Sequence, residues 1–128
     1  MGKENLEFKA TIQPAADFGK VPAGDIMVCR HKLDGTFVSV SEACRKLLGY
    51  EPEELIGKQA YDFHHPDDIE TISSQHHRQA LLEDIQESIR YRFRGKDGKY
   101  RVMETVTNTR RDRQGIPIEL ETRSIAVD

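Results

Sequence analysis

Three short glycine-containing turns, Asp34-Gly35, Gly95-Lys96-Asp97-Gly98 and Asp112–Gly115, punctuate runs of strand-forming residues. A turn this tight makes its two flanking strands antiparallel neighbours, because a parallel return needs a crossover of about a dozen residues or more. The first turn joins Ile26–His31 to Thr36–Val40, and the second joins a strand through Ile89, Tyr91 and Phe93 to Tyr100–Thr109. The third leads into Ile116–Val127. Ile89, Tyr91 and Phe93 alternate with Arg90, Arg92 and Arg94, the period of a strand with one face in a core and one in water. Five strands result.

Helix signals fill the space between the second and third strands. Ser41 is expected as an N-cap with Glu42 in the first turn, Ala43, Leu47 and Leu48 as the apolar side, and Gly49 as the C-terminal stop. Pro52 to Gly57 reads as a single helical turn, followed by a short segment through Tyr61 and Phe63. Pro66-Asp67-Asp68 opens a longer helix, expected to run to Leu82 or Ile85 with Ile69, Ile72, His76 and Ala80 on one face. Strands kept apart from helices indicate an α+β fold, a five-stranded antiparallel sheet with several short helices and one longer helix on one face. In residues 1–24, Leu6, Phe8, Ala10 and Ile12 alternate with polar residues, as a short strand or an extended arm would, before Pro14, Gly19, Pro22 and Gly24 break the chain. That stretch is read as an N-terminal cap or arm, and residues 25–128 as the domain.

A net charge of −3 argues against nucleic-acid binding, which calls for a basic face to neutralise phosphates. The basic knot Arg110, Arg111 and Arg113 is interrupted by Asp112 and reads as a solvated loop. No apolar run reaches the roughly 20 residues of a membrane helix, so no membrane contact is expected. Cys29 and Cys44 are too few and too far apart for a zinc knuckle or a redox pair, and a reducing cytoplasm is the expected setting. No metal site is expected from His64, His65, His76 and His77, because adjacent helical residues point about 100° apart. Ser73 and Ser74 lie near His76 and His77 without an elbow motif, and His64, His76 and Asp67 offer only the residue types of a catalytic set, so the chain is read as a non-enzyme.

Gly35 to Ala43, Leu47-Leu48-Gly49-Tyr50, Pro52 to Gly57, His65-Pro66-Asp67-Asp68 and the hairpin Tyr91 to Tyr100 together resemble the PAS signature in its usual order, over residues 25–127. Two positions depart from it: Ser41 stands where the family often has Asn, and Val102 and Met103 occupy a strand that often carries Trp. The resemblance implies a sensory or signalling domain of a larger protein, a homodimer, and an output partner such as a histidine kinase of a two-component system, a cyclic-dinucleotide enzyme or a transcription factor. Light-sensing flavin members place a Cys where Ala60 stands, which excludes a flavin photoadduct there. Haem members carry a His near the position of Ile72; His76 is one turn later without the surrounding haem pattern, so haem is not expected.

The same resemblance places the interior between sheet and long helix, and alternation selects its walls. Met27, Cys29, His31 and Phe37 are expected from the first hairpin, Tyr91, Phe93, Met103 and Thr105 from the later strands, and Ala60, His64, Ile72 and His76 from the helical side. Arg30-His31 is similar to the first strand of the PAS domains of hypoxia-type transcription factors. The polar members of this set suit a pocket for an unknown small molecule held non-covalently. They suit equally a filled core whose polar groups bond each other, in a PAS domain that serves as a dimerisation module.

Overall fold

Six strands form the sheet where five were expected. In the computed structural model, residues 8–15, 17–81 and 87–127 are described; Leu6, the expected helix end at Leu82 or Ile85, and the Ala80 side chain fall outside them. The added strand is β1 (Thr11–Pro14), which comes from the arm. β2 (Met27–His31) and β3 (Phe37–Val40) make the first hairpin, and β4 (Glu87–Arg94), β5 (Tyr100–Arg111) and β6 (Pro117–Ala126) make the other two. Their order across the sheet is β1-β4-β5-β6-β2-β3, antiparallel throughout. β1 lies along the edge of β4, pairing Thr11 with Arg90 and Pro14 with Glu87, and the Ser88 hydroxyl donates to the Pro14 carbonyl at 3.3 Å. A proline is tolerated there because an edge strand can spare an N–H.

Gly35 fits its turn because φ is +96°, and a Cβ there would meet Gln59 Oε1 at 2.5 Å. Ser41 does not cap the first helix. Its hydroxyl accepts the Val28 N–H at 2.9 Å, and α1 (Ala43–Leu48) starts after Glu42 without a side-chain cap. Gly49, at φ +84°, ends α1 and donates to the Cys44 and Arg45 carbonyls, as the sequence predicts. α2 (Pro52–Leu55) is held by a reciprocal capping box between Glu51 and Glu54. Tight 3-10 turns at Ala60–Phe63 and Pro66–Asp68 lead into α3 (Ile69–Leu81), with His65 Nδ1 accepting the Asp67 N–H.

The inward face of α3 is more polar than its spacing suggested. Ile72, Gln75 and Gln79 are buried, whereas Ile69 and His76 are only half-buried. Gln75 Nε2 donates to Gln79 Oε1 at 3.2 Å, one turn along the same face. Asp68 is also buried, and does more than favour a helix start. It accepts the Arg92 backbone N–H at 2.8 Å and the Arg92 guanidinium at 3.1 and 2.7 Å. Arg92, expected in water on the polar face of β4, is therefore buried as well, with the Phe8 ring 5.0 Å from its guanidinium carbon. Beneath the sheet Phe37, Phe63 and Phe93 form the aromatic centre of the core, Phe63 and Phe93 stacked 5.3 Å apart.

Candidate functional site

Between the inner face of the sheet and the helical layer lies a cavity of about 40 Å³. Eleven of the twelve residues expected at a pocket line it: Met27, Cys29 and His31 from β2, Phe37 from β3, Tyr91 and Phe93 from β4, Thr105 from β5, and Ala60, His64, Ile72 and His76 from the helical side. Met103 does not. It is fully buried beside Tyr91 in the packed core, away from the cavity wall. Reading the sequence missed Gly35, Tyr61 and Ile89, and the whole contribution of β6, Leu120, Thr122 and Ser124. Those three alternate in sequence, and that period marks them as one face of the last strand.

Most polar groups on the wall bond one another. His31 Nδ1–H donates to the Gly35 carbonyl at 3.2 Å, which leaves Nε2 to accept from the Thr122 hydroxyl at 3.2 Å. Tyr91, Thr105 and Ser124 form a hydroxyl chain with spacings of 2.7 and 2.6 Å. The Tyr61 hydroxyl and His76 Nδ1 share a hydrogen bond of 2.9 Å. His64 Nδ1 is the exception: it is buried and has no hydrogen-bond partner among the described residues.

Burial sets the charge state of this interior. It lowers His31, and it pushes His64 down to about 3 and His76 to about 4, helped by the neighbouring imidazoles. Desolvation also pushes the Cys29 thiol up to about 12, so it is a neutral S–H and not a nucleophile. The wall is thus uncharged at neutral pH. Among the described residues no cluster of three or more His, Cys, Asp or Glu is placed to hold a metal ion. His65 packs on the Tyr100 ring, and His77 is exposed. Ser73, Ser74 and Asp67 lie at the surface while His64 points inward, so the residue types for catalysis are not gathered in one place.

The outer face of the sheet carries the other organised chemistry. Glu119 of β6 accepts Arg30 of β2 in a two-pronged pair at 2.8 and 2.9 Å, and Arg110 of β5 at 2.8 Å. The Arg30 bond, with Arg110 adding to it, holds the Glu119 carboxyl down to about 2. Val28 stands exposed one pair along the same strand. No helix among the described residues is long and apolar enough to cross a membrane.

This architecture has close counterparts. The chain is 38% identical over 91 residues to basic helix-loop-helix ARNT-like protein 1 of Nannospalax galili, a match over 69% of this chain and 14% of that protein. It is 40% identical over 76 residues to the Homo sapiens protein of the same name, covering 57% and 12%. The aryl hydrocarbon receptor nuclear translocator homolog of Drosophila melanogaster is 36% identical over 73 residues, covering 57% and 11%. The chain thus spans only a small part of the curated relatives it matches. Among solved structures, the PAS-B domain of Drosophila melanogaster Cycle, as a variant with bound glycerol, superposes with a TM-score of 0.70 at 20% identity, over 79% of this chain and 99% of that one. The wild-type domain with bound ethylene glycol gives 0.67 at 21% identity over the same shares. The family model described as the PAS fold matches residues 37–122. With that match over most of the sheet and over α1, α2 and α3, the chain belongs to the PAS family.

Proposed function

We propose that this PAS domain is a protein–protein interaction module that pairs with a second copy through the outer face of its sheet. The observation that carries the reading is the size of the interior space. Pockets for small organic ligands measure about 300–1,000 Å³, against about 40 Å³ here. The polar lining of this space is largely spent on internal hydrogen bonds, which supports the reading without a bound cofactor. The outer face offers exposed Val28 with alternating charges at Arg30, Glu119, Glu121 and Arg123, a pattern that two copies related by a twofold axis can match. The curated relatives favour a transcription factor over a histidine kinase or a cyclic-dinucleotide enzyme as the larger protein, with the domain serving in cytoplasm and nucleus. Enzymatic turnover is not part of this reading.

Sedimentation velocity over a concentration series tests it. The expected result is a mass that rises toward a dimer, and a Val28→Glu variant that stays monomeric with an unchanged circular dichroism spectrum. A parent protein that remains monomeric throughout would sink the proposal. A second reading, a sensor for a very small polar molecule, draws on the orphaned His64 Nδ1 at the cavity wall. Native mass spectrometry separates the two, because a bound molecule adds mass that denaturation removes.

A further inference from the structure

The chain leaves β1 at one edge of the sheet and enters β2 with β4, β5 and β6 lying in between. The inner face is taken up by the helices and the core beneath them, so this connection has the outer face to cross. Burial on that face marks the path. Ile89 and Thr105 line the interior cavity, so Ser88, Glu104 and Val106 point outward by strand alternation. All three are buried, although Arg90, Asn108 and Arg123 beside them are exposed. Phe18, in the connection itself, is buried as well, and it is not among the residues of the core beneath the sheet. The connection is fastened at both ends: the Ser88 hydroxyl donates to the Pro14 carbonyl at 3.3 Å where it starts, and Lys46 donates to Asp25 where it closes.

Between those fastenings the hold is slight. Phe18 is the buried side chain of residues 17–26, while Asp17, Gly19, Lys20, Pro22, Ala23 and Gly24 are exposed. The segment forms tight 3-10 turns at Phe18–Lys20 and Ala23–Asp25, whose bonds are local: Val21 N–H to the Phe18 carbonyl and Ile26 N–H to the Ala23 carbonyl. A segment with one buried anchor and local bonds opens at low cost. What it would uncover adjoins the proposed pairing face. Val28 and Val106 flank Arg123 in one row across β2, β6 and β5, and half-buried Ile125 pairs with Glu104 in β5.

We infer that residues 17–26 are an autoinhibitory strap on the pairing face, latched by Phe18. Seated, the strap covers Val106 and confines the contact between two copies to the side of the face that carries Val28. Released, it lets the contact extend from Val28 to Val106, so the strength of pairing follows the fraction of chains with the strap open. This inference rests on the proposed pairing through the outer face and adds its regulation.

The test is sedimentation velocity on the full chain, with circular dichroism to follow the fold. Phe18→Ser unlatches the strap and should tighten the dimer about tenfold, as gaining one buried aliphatic side chain per copy would. Adding Val106→Ser to that variant should cancel the gain. Gly24→Ala works in the opposite direction. A Cβ at Gly24 meets nothing within 4 Å, so the substitution costs the seated strap nothing and restricts the open one. The dimer should then weaken severalfold. A parent that dimerises beside a Phe18→Ser variant that pairs no more tightly, or that grows past a dimer, overturns the strap and leaves the pairing reading in place. Gly24→Ala pairing as tightly as the parent overturns it too, even where Phe18→Ser does not fold. Monomers in both the parent and Phe18→Ser at every concentration remove both readings.

Discussion

Asp68 and Arg92 bury opposite charges against each other, and both letters look like surface residues in the sequence. The pair is worth little as a net stabiliser, because desolvating two charges offsets most of their attraction. Breaking it is another matter. Arg92→Met removes the two guanidinium bonds and the countercharge, and leaves the buried Asp68 carboxylate with the residue-92 backbone N–H alone of those three donors. The expected loss is about 3–5 kcal/mol, read from the urea unfolding midpoint. Adding Asp68→Leu to the same chain should recover much of it, and a single variant as stable as the parent would contradict the account. Ser41 teaches the same lesson on a smaller scale. A hydroxyl before a helix reads as a cap, yet the nearer unpaired donor in three dimensions is the Val28 N–H, and local sequence carries no trace of that neighbour.

At the scale of elements, the three hairpins were legible because each turn residue has a conformational reason to be where it is. The edge strand β1 was legible only as one of two alternatives, since four residues ending in Pro14 show too little period to distinguish a strand from an arm. β1 covers the backbone edge of β4 over Glu87–Arg90, and Ile12 packs on the core. Deleting residues 1–14 should therefore lower the melting temperature by about 5–10 °C, a loss of about 1–2 kcal/mol, and leave an open edge prone to association. An unchanged melting temperature would show that the arm adds nothing. The cavity was legible through strand alternation, which gave the walls from β2, β4 and β5. Alternation separates inward from outward but cannot separate a cavity wall from packed core, which is why Met103 was misplaced. The buried face of α3 was misjudged because Gln75 and Gln79 satisfy each other, and polar letters read as solvent-facing.

For the molecule as a whole, the buried imidazoles make stability depend on pH. In the unfolded chain His64 and His76 titrate near the ordinary value of about 6.5, whereas in the fold they hold out to about 3 and about 4. Below about 6.5 the unfolded state binds more protons, so stability is fully present above that value and falls with pH, by about 1.4 kcal/mol per pH unit for each imidazole. Urea unfolding from about pH 7.5 down to about pH 5 should show this slope, and His64→Gln should flatten it by about one proton. A profile flat across that range would mean the two rings are hydrated in the fold. Glu119 acts in the same direction, but its window lies between the ordinary carboxylate value and about 2. The void beside these rings has a mechanical consequence too. Proteins contract on unfolding by roughly 20–100 mL/mol, an amount that scales with the internal voids that unfolding eliminates, and this cavity is one such void. Hydrostatic pressure therefore works directly against this core, and any side chain or guest that fills the space also hardens the domain against compression.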